Sequence, residues 1–550
     1  MSRLTDTISR RLASEIGVIR KEHGGRLRVC LVYPNSYFVG MSSLGFQAVY
    51  HLFNARQDVV CERAFVPDPD DLVDLARTEG ALVSYESQMP LQQFDAIAFS
   101  VSYELDYINI ARVLRLARIP IMARERDQHH PLVIAGGAAV SINPEPLAEI
   151  VDAFVIGEVE PMCERLLDVL ASRAGRSEAM ARAAGIPGVY CSAASAPGGP
   201  FDGGRRHAPA LRASPTVHEA GSPQRGSPTV ERQYARSLAD SPTHSRVLTP
   251  ETEFGELFLV EISRGCGRGC KFCVTPACYW PFRWRPMESV LEAVRLGLQH
   301  RDAIGLISAA VTDHPNIDEI AGRIVELGAR LSVSSLRADG VSPALMEALA
   351  RSGARSVTFA PEAGTDRLRA AIGKGITEDH IIGALRMAFA AGIKEAKLYF
   401  MVGLPGEGEE DIAAIPELVR TCLRRADLRR VTVAAGGFVP KPHTPYEREA
   451  MLPVAEISRR LRAIRDALRG ERRVTVAVES ANWSHIEGAL SRGDRRLGAA
   501  IAAAEAGGGN LAAWRQAFRE CGLTADEFTS ARGPNDALPW SFLNPRGRPR

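Results

Sequence analysis

The sequence predicts an α/β chain of two parallel-sheet units in series, with a small helical extension at its carboxyl end. Three observations predict it. Short apolar runs alternate with helical stretches from Leu27 to Ser172, a stretch rich in Gly, Pro and Ser follows, and a second alternating series of six strand–helix units starts at Glu253. Alternation of this kind argues for parallel sheets with ligands outside the carboxyl ends of their strands. The implied division is an N-terminal helix over 1–24, an open doubly wound sheet over 25–190, a linker over 191–252, a strand–helix core over 253–450 and the helical extension over 451–550.

In the first unit, the helix stops at His23-Gly24-Gly25. Leu27 to Tyr33 is an almost continuous apolar run bounded by Pro34-Asn35, as a strand buried on both faces would be. Further strands are expected at Val59 to Cys61, Ala96 to Val101, Leu132 to Ala135 and Ala153 to Ile156. Two strand ends carry small residues, Ser100-Val101-Ser102 and Gly136-Gly137, which would let a large flat ligand approach the backbone. From Ala193 to about Pro242 the composition shifts to Gly, Pro, Ser, Arg and His, which reads as a linker unable to bury enough apolar surface to order itself.

In the second unit, strands are expected at Phe254 to Ile262, Ile304 to Ile307, Leu331 to Ser334, Ser356 to Phe359, Glu395 to Val402 and Arg430 to Ala434. The first delivers S-R-G-C-G-R-G-C-K-F-C-V-T-P-A-C, Ser263 to Cys278, at its carboxyl end, where such folds place chemistry. Cys266, Cys270 and Cys273 stand as C-x3-C-x2-C. Soft thiolates select Zn, Cu(I) or iron–sulfur clusters, and a [4Fe–4S] cluster given only three thiolates keeps one iron open. The alternative is a zinc knuckle with Cys278 as fourth ligand, although the Cys273 to Cys278 gap is looser than the usual pairs. Past the strands, Val454 to Arg469 is an amphipathic helix, and Trp514, Phe518, Phe528, Trp540 and Phe542 suggest a helical cap with its own core.

The cysteine loop resembles the signature of radical S-adenosylmethionine (SAM) enzymes, C-x3-C-x-aromatic-C. The resemblance implies a partial (β/α)6 barrel, a [4Fe–4S] cluster whose open iron chelates SAM, and Phe272 near the adenine. It runs from about Glu253 to Pro445. It also implies Glu362, in A-P-E-A-G, for the SAM ribose, and Gly403, in M-V-G-L-P-G-E, in the segment that backs the adenine. Arg337 is a candidate for the SAM carboxylate or a structural salt bridge. Where many members carry G-G-E, this chain has Ser308-Ala309-Ala310.

A flavodoxin-like sheet ahead of such a loop resembles the cobalamin-binding class of the family, and V-Y-P-N-S-Y-F-V-G-M-S-S-L-G-F-Q resembles the opening of one bacterial branch of it. That implies cobalamin near Asn35, Ser100, Ser102, Gly136 and Gly137. The loop after the first strand lacks the D-x-H-x-x-G histidine that ligates cobalt elsewhere, and His51 lies further along, inside a helix. Phe438 to Pro445 also resembles that branch, with Lys441 and His443 as candidates to face the substrate. The implied reaction is radical cleavage of SAM with methyl transfer to an unreactive atom. Without cobalamin it is a rearrangement, cyclisation or sulfur insertion, although Cys30, Cys61, Cys163 and Cys191 are too dispersed for a second cluster. A non-catalytic cobalamin- or zinc-binding protein is the alternative of another class. The substrate, a small molecule or peptide, carries no signature here, nor do the residues that act on it. The resemblance further implies an electron donor such as flavodoxin or ferredoxin.

Composition narrows the partners. Lys and Arg number 67 against 65 Asp and Glu, so no net field gathers nucleic acid. No run of about 18 apolar residues is present to span a membrane, and Met1 to His23 lacks the apolar centre of a secretion signal. A cytoplasmic protein is expected. Ten cysteines with four in one loop fit a reducing compartment rather than a disulfide framework.

Overall fold

The computed structural model describes residues 3–172, 174–192, 229–239, 241 and 243–546. Its first sheet contains β1 (Leu27–Tyr33), β2 (Val59–Phe65), β3 (Ala96–Ser100), β4 (Leu132–Gly136), β5 (Ala153–Val155) and β6 (Val189–Cys191), in the order β2-β1-β3-β4-β5-β6. The first five strands are parallel and β6 is antiparallel. Strand order reverses between β1 and β3, which opens a crevice at their carboxyl ends. The second strand runs four residues past the expected Cys61. Those residues include Glu62 and Arg63, whose charges end an apolar pattern, but both are paired inside the fold. The Arg63 guanidinium donates to Glu86 at 2.6 Å and Glu15 at 2.7 Å, and Glu62 accepts from Ser84 at 2.5 Å.

Residues 193–228 of the expected linker lie outside the described residues. Its described residues are structured, against expectation. β7 (Val230–Glu231) pairs with a strand from the chain's end, Gln233 bridges Gly157, and His244 bridges Val260. Polar residues help to hold this segment beside the buried Leu238, Val247 and Leu248: the buried Arg232 donates to the backbone carbonyls of Pro545 (2.7 Å) and Cys278 (3.2 Å).

The second unit is a barrel split into two parallel sheets. β8 (Leu257–Glu261) is followed by the ribbon of β9 (Ser263–Arg264) and β10 (Arg283–Trp284), then β11 (Ala303–Ile307) and β12 (Arg330–Val333). The first sheet has the order β12-β11-β8. The other contains β13 (Ser356–Glu362), β14 (Glu395–Val402), β15 (Arg430–Gly437) and β16 (Val474–Val478), in sequence order. A single bridge, Leu336 to Phe359, joins the two sheets. The six expected strands are present, and β16 adds a seventh inside what the sequence assigned to the extension. Along β14, Ala396, Leu398, Phe400 and Val402 are buried against helices while Lys397, Tyr399 and Met401 face the other way. The lumen face of β14 is therefore less buried than its helix-covered face.

The carboxyl-terminal helices do not form the separate core expected of them. Ile486, Leu490, Leu497, Ile501, Trp514 and Phe518 belong to one apolar cluster with Ile97, Ile110 and Leu114 of the first unit. The helix Leu497–Ala506 reads LGAAIAAAEA, apolar nearly all round, and such a helix needs neighbours on more than one side. Polar contacts fix the seam: Asn143 Nδ2 donates to the carbonyls of Ser491 (3.0 Å) and Gly493 (2.8 Å), and Arg115 donates to Glu505 at 2.7 Å. β17 (Leu543–Asn544) then closes on β7.

Candidate functional site

The cysteine loop is shaped by its surroundings. Gly265 has φ +88°, and a Cβ there would overlap the carbonyl of Tyr279, so glycine is required. Gly267 and Gly269 meet no such crowding. The Lys271 N–H donates to Ile372 O at 2.9 Å, which binds the loop to the turn after the helix Asp366–Ala371. Cys266, Cys270 and Cys273 are all partly exposed; Cys273 acts on both Cys266 and Cys270, and Cys266 on Cys270, to raise their proton affinity, so these thiols face one region. Burial pushes the Cys266 and Cys270 thiols up, while Arg337 acts on both in the opposite direction and Lys374 on Cys270. Among the described residues no three His, Cys, Asp or Glu side chains stand close enough to hold a single metal ion. Cys278, unlike these three, is fully buried and lines the neighbouring cavity. It is buried with Ala277 and Ile142, its sulfur is 3.9 Å from Ala138 O, and burial pushes its thiol up to about 12.

Around the thiols the barrel's strand ends bring several predicted residues together. Phe272 and Met401 pack against Leu368, Ile372, Leu404 and Phe438. Glu362, at the end of β13, has φ +70°, an uncommon conformation for a non-glycine residue and a local strain. Its carboxylate accepts from Lys374 Nζ at 3.0 Å, and burial raises its pKa against that partner's pull. Lys374 Nζ also stands 6.0 Å over the Phe272 ring. Sequence reasoning missed Lys374. Its signal was G-K-G, where Gly373 at φ +72° packs against the Gly269 carbonyl of the cysteine loop. Gly403 has φ +89°, and its N–H donates to Glu407 Oε1 at 2.8 Å. Arg337 forms a fork to Asp339 at 3.0 and 2.9 Å and donates to Lys374 O, and among the described residues its Nη1 has no hydrogen-bond partner.

A second constellation lines a cavity of about 780 Å³ that reaches the barrel at the ends of β8 and β11, beside the start of the cysteine loop. Ser100, Ser102, Gly136 and Gly137 line it from the sheet side, and Ser263, Gly265, Ser308 and Ala309 from the barrel side. The two serines at the ends of the barrel strands, Ser263 and Ser308, share a 2.6 Å hydrogen bond. Asn35 does not reach this cavity. Its Nδ2 donates to Asp106 Oδ1 at 2.7 Å and its Oδ1 accepts from Ser36 N at 2.8 Å. Gly137 lines the cavity, but its small size serves the backbone: with φ +112°, a Cβ would overlap Val101 O. Gly136 has room, since a Cβ there would meet only Val155 at ordinary contact.

Charged side chains join the two halves. Arg264, next to the cysteine loop, donates at 2.8 Å to both Glu158 and Glu160 of the first unit and at 3.0 Å to Glu261. Lys441 and His443, which the sequence offered to the substrate, are both spent on the domain seam. Lys441 Nζ bridges Glu104 and Glu487 at 2.7 Å each, and His443 Nε2 lies 3.1 Å from Ile142 O.

Comparison with known proteins follows this division. The family model for radical SAM proteins, N-terminal, matches residues 45–192, and that for the radical SAM superfamily matches residues 260–419. The uncharacterized protein MJ0966 of Methanocaldococcus jannaschii is 28% identical over 473 residues, 85% of this chain and 89% of its own. A tRNA-2-methylthio-N(6)-dimethylallyladenosine synthase of Sorangium cellulosum is 27% identical over 188 residues, 29% of this chain and 38% of its own. Among solved structures, the radical SAM methyltransferase TsrM of Kitasatospora setae, with cobalamin and a [4Fe–4S] cluster bound, aligns with TM-score 0.51 and 16% identity over 77% of this chain and 74% of that one. That last likeness is one of fold.

Proposed function

We propose that this chain, a radical SAM enzyme, transfers a methyl group to an unreactive substrate atom with cobalamin seated between its two units. The observation that carries the reading is the shared cavity, which opens both to the strand ends that flank the cysteine loop and to the strand ends of the first sheet. When bound, a three-thiolate [4Fe–4S] cluster splits SAM into methionine and a 5′-deoxyadenosyl radical, and cobalamin carries a methyl group; the protein supplies orientation.

The residues present fit both groups. Cys266, Cys270 and Cys273 supply three thiolates from one loop, and Cys278 is buried. Phe272 and Met401 offer an apolar face for an adenine, and Glu362, held by Lys374, accepts hydrogen bonds from ribose hydroxyls. Arg337 keeps Nη1 for a carboxylate. At the sheet, Ser100, Ser102 and Gly136 form an uncharged rim on which a broad ring can lie. Among the described residues His51 is the one histidine that lines the cavity, and it lies on the helix Leu44–Ala55 rather than at the end of β1. Cys30 and Cys61 are fully buried on adjacent strands with thiols pushed well up, so they offer no thiolates for a second cluster and sulfur insertion. A flavodoxin or ferredoxin would reach the cluster from the solvent side of the loop, where Gly267, Arg268, Gly269 and Lys271 are exposed.

The test is reconstitution. Anaerobic iron–sulfur loading followed by hydroxocobalamin and desalting should leave stoichiometric iron and cobalt, and dithionite with SAM should yield 5′-deoxyadenosine. Iron without cobalt would remove methyl transfer through cobalamin. A colourless protein holding one zinc would overturn the enzymatic reading.

A further inference from the structure

The barrel strands carry a further set of polar groups that the cysteine loop and its neighbours do not use. On the lumen face the register stacks them in three levels. Lys397, Thr432 and Thr475 lie lowest, Tyr399, Ala434 and Ala477 above them, and Met401 and Gly436 at the top. Glu479 follows β16 at that top level, since its N–H donates to Ala435 O at 2.9 Å. The residues beside Tyr399 shrink to two alanines and a glycine, which leaves its ring 37% exposed with room for a flat group against it.

Charge sits at both ends of this wall. Gly436 lets the Glu479 side chain fold over β15: a Cβ at Gly436 would stand 2.3 Å from Glu479 Oε2. The carboxylate therefore lies next to the level of Met401, which packs with Phe272. Water reaches it, and among the described residues it has neither a hydrogen bond nor an ion pair. Lys441 does not serve it, being held between Glu104 and Glu487 at 2.7 Å each. Partial burial, and then the like charge of Glu487, raise the Glu479 pKa, and a cation brought to this point would offset the second effect. At the other end, Lys397 Nζ stands 4.7 Å from the centroid of the Tyr399 ring, and among the described residues no carboxylate pairs with it. Two residues of strand put about 7 Å between the levels of Tyr399 and Glu479. Opposite charges, neither of them in an ion pair, thus flank an exposed aromatic face.

We propose that this wall selects a zwitterionic substrate: Glu479 binds its amine at the rim, Tyr399 carries a flat unsaturated segment, and Lys397 binds an acidic group below. The unlike charges fix one orientation. A substrate entering the other way round would set its amine against Lys397 and its acid against Glu479 and Glu487. The amine end is thereby held nearest Met401 and Phe272. The inference deepens the proposed function, and rests on it in taking the barrel lumen as the seat of the group that is modified.

Equilibrium dialysis of three probes against the full-length, iron–sulfur-loaded protein with SAM tests it without turnover. The probes are 4-(aminomethyl)benzoate, which carries both charges across a ring, benzylamine, which lacks the acid, and 4-methylbenzoate, which lacks the amine. Wild type should hold the first about 10-fold or more tightly than either of the others. Glu479→Gln should remove its advantage over 4-methylbenzoate, and Lys397→Met its advantage over benzylamine, each with iron content unchanged. Equal affinity of wild type for all three probes, or for none, overturns the proposal even if no variant folds. So does a Glu479→Gln variant that keeps the wild-type preference. Cobalt retained by the same sample separates this inference from the cobalamin reading. Cobalt held with no probe preference sinks the inference alone, whereas probe preference without cobalt supports the inference and sinks methyl transfer through cobalamin.

Discussion

The first sheet and the barrel present their sites at the same ends of their strands but hold ligands by different means. At the barrel end the residues are charged and already paired: Lys374 with Glu362, Arg337 with Asp339, and three thiols on a loop shaped by Gly265. At the sheet end Ser100, Ser102, Gly136 and Gly137 are small and uncharged, the carboxylates of Glu158 and Glu160 are taken up by Arg264, and the working surface is the shape of a cavity. A small charged ligand such as SAM is recognised by matched groups, each worth about 1.5–3 kcal/mol when charged. A large ring with a tail is recognised by area and fit. Single substitutions should therefore strike the two ends unequally.

The largest effect belongs to the thiols. Cys266→Ala, Cys270→Ala or Cys273→Ala should each abolish iron binding and 5′-deoxyadenosine formation, while Cys278→Ala keeps both; iron analysis after anaerobic reconstitution decides it. Iron retained by one of the first three, with loss in the Cys278 variant, would reverse the ligand assignment.

Next come the paired charges. Lys374→Met leaves Glu362 buried without its cation and should raise the SAM concentration for half-maximal cleavage roughly 10- to 100-fold, with iron content unchanged. A loss of iron instead would show that Lys374 supports the loop rather than the ligand.

On the sheet side the contrast lies between neighbours. Gly136→Val should weaken corrinoid retention with little change in melting temperature, because its Cβ position is open. Gly137→Val should destabilise the domain itself by forcing a β-branched residue to φ +112° against Val101. Equal behaviour in a thermal melt would erase the distinction between a ligand-facing glycine and a backbone glycine.

The smallest effect concerns Asp106. Burial raises its pKa to about 6, above its ordinary 3.8, although Asn35 opposes the shift. The folded state then holds a proton that the unfolded chain has released, so this group costs stability as pH rises from about 4 through 6. Asp106→Asn should flatten that part of the stability–pH curve and raise stability at pH 7 on the order of 1–3 kcal/mol. An unchanged curve in denaturant titrations at pH 4.5 and 7 would refute the assignment.

Much of this was legible in the sequence, for identifiable reasons. Parallel strands buried on both faces leave apolar runs, so β1, β3 and β4 stood out, and the barrel strands, buried on one face, showed through their apolar stretches between helices. Where charge is satisfied inside the fold, the pattern failed: Glu62 and Arg63 hid the end of β2, and Arg232 hid the order of the segment before the barrel. The edge strand β16, V-T-V-A-V, is half exposed and too short to announce itself. The cysteine loop was readable because local spacing sets its chemistry. The partners of Lys441, Arg264 and Asn35 were not, since each lies far away in the chain.

One feature of the packing bears on how the chain is made. The core of the first unit joins residues 4–189 to residues 486–543, and the whole barrel is synthesised between them. At 5–20 residues per second, the about 300 intervening residues take roughly 15–60 s to emerge. Throughout that interval the first sheet displays the apolar surface that Leu497, Ile501 and Trp514 later cover. The barrel, contiguous in sequence, can collapse during this delay, whereas the first domain is completed only after the ribosome has released nearly the entire polypeptide. Nascent chains stalled before residue 486 should accordingly recruit chaperones to their first half and not to their second.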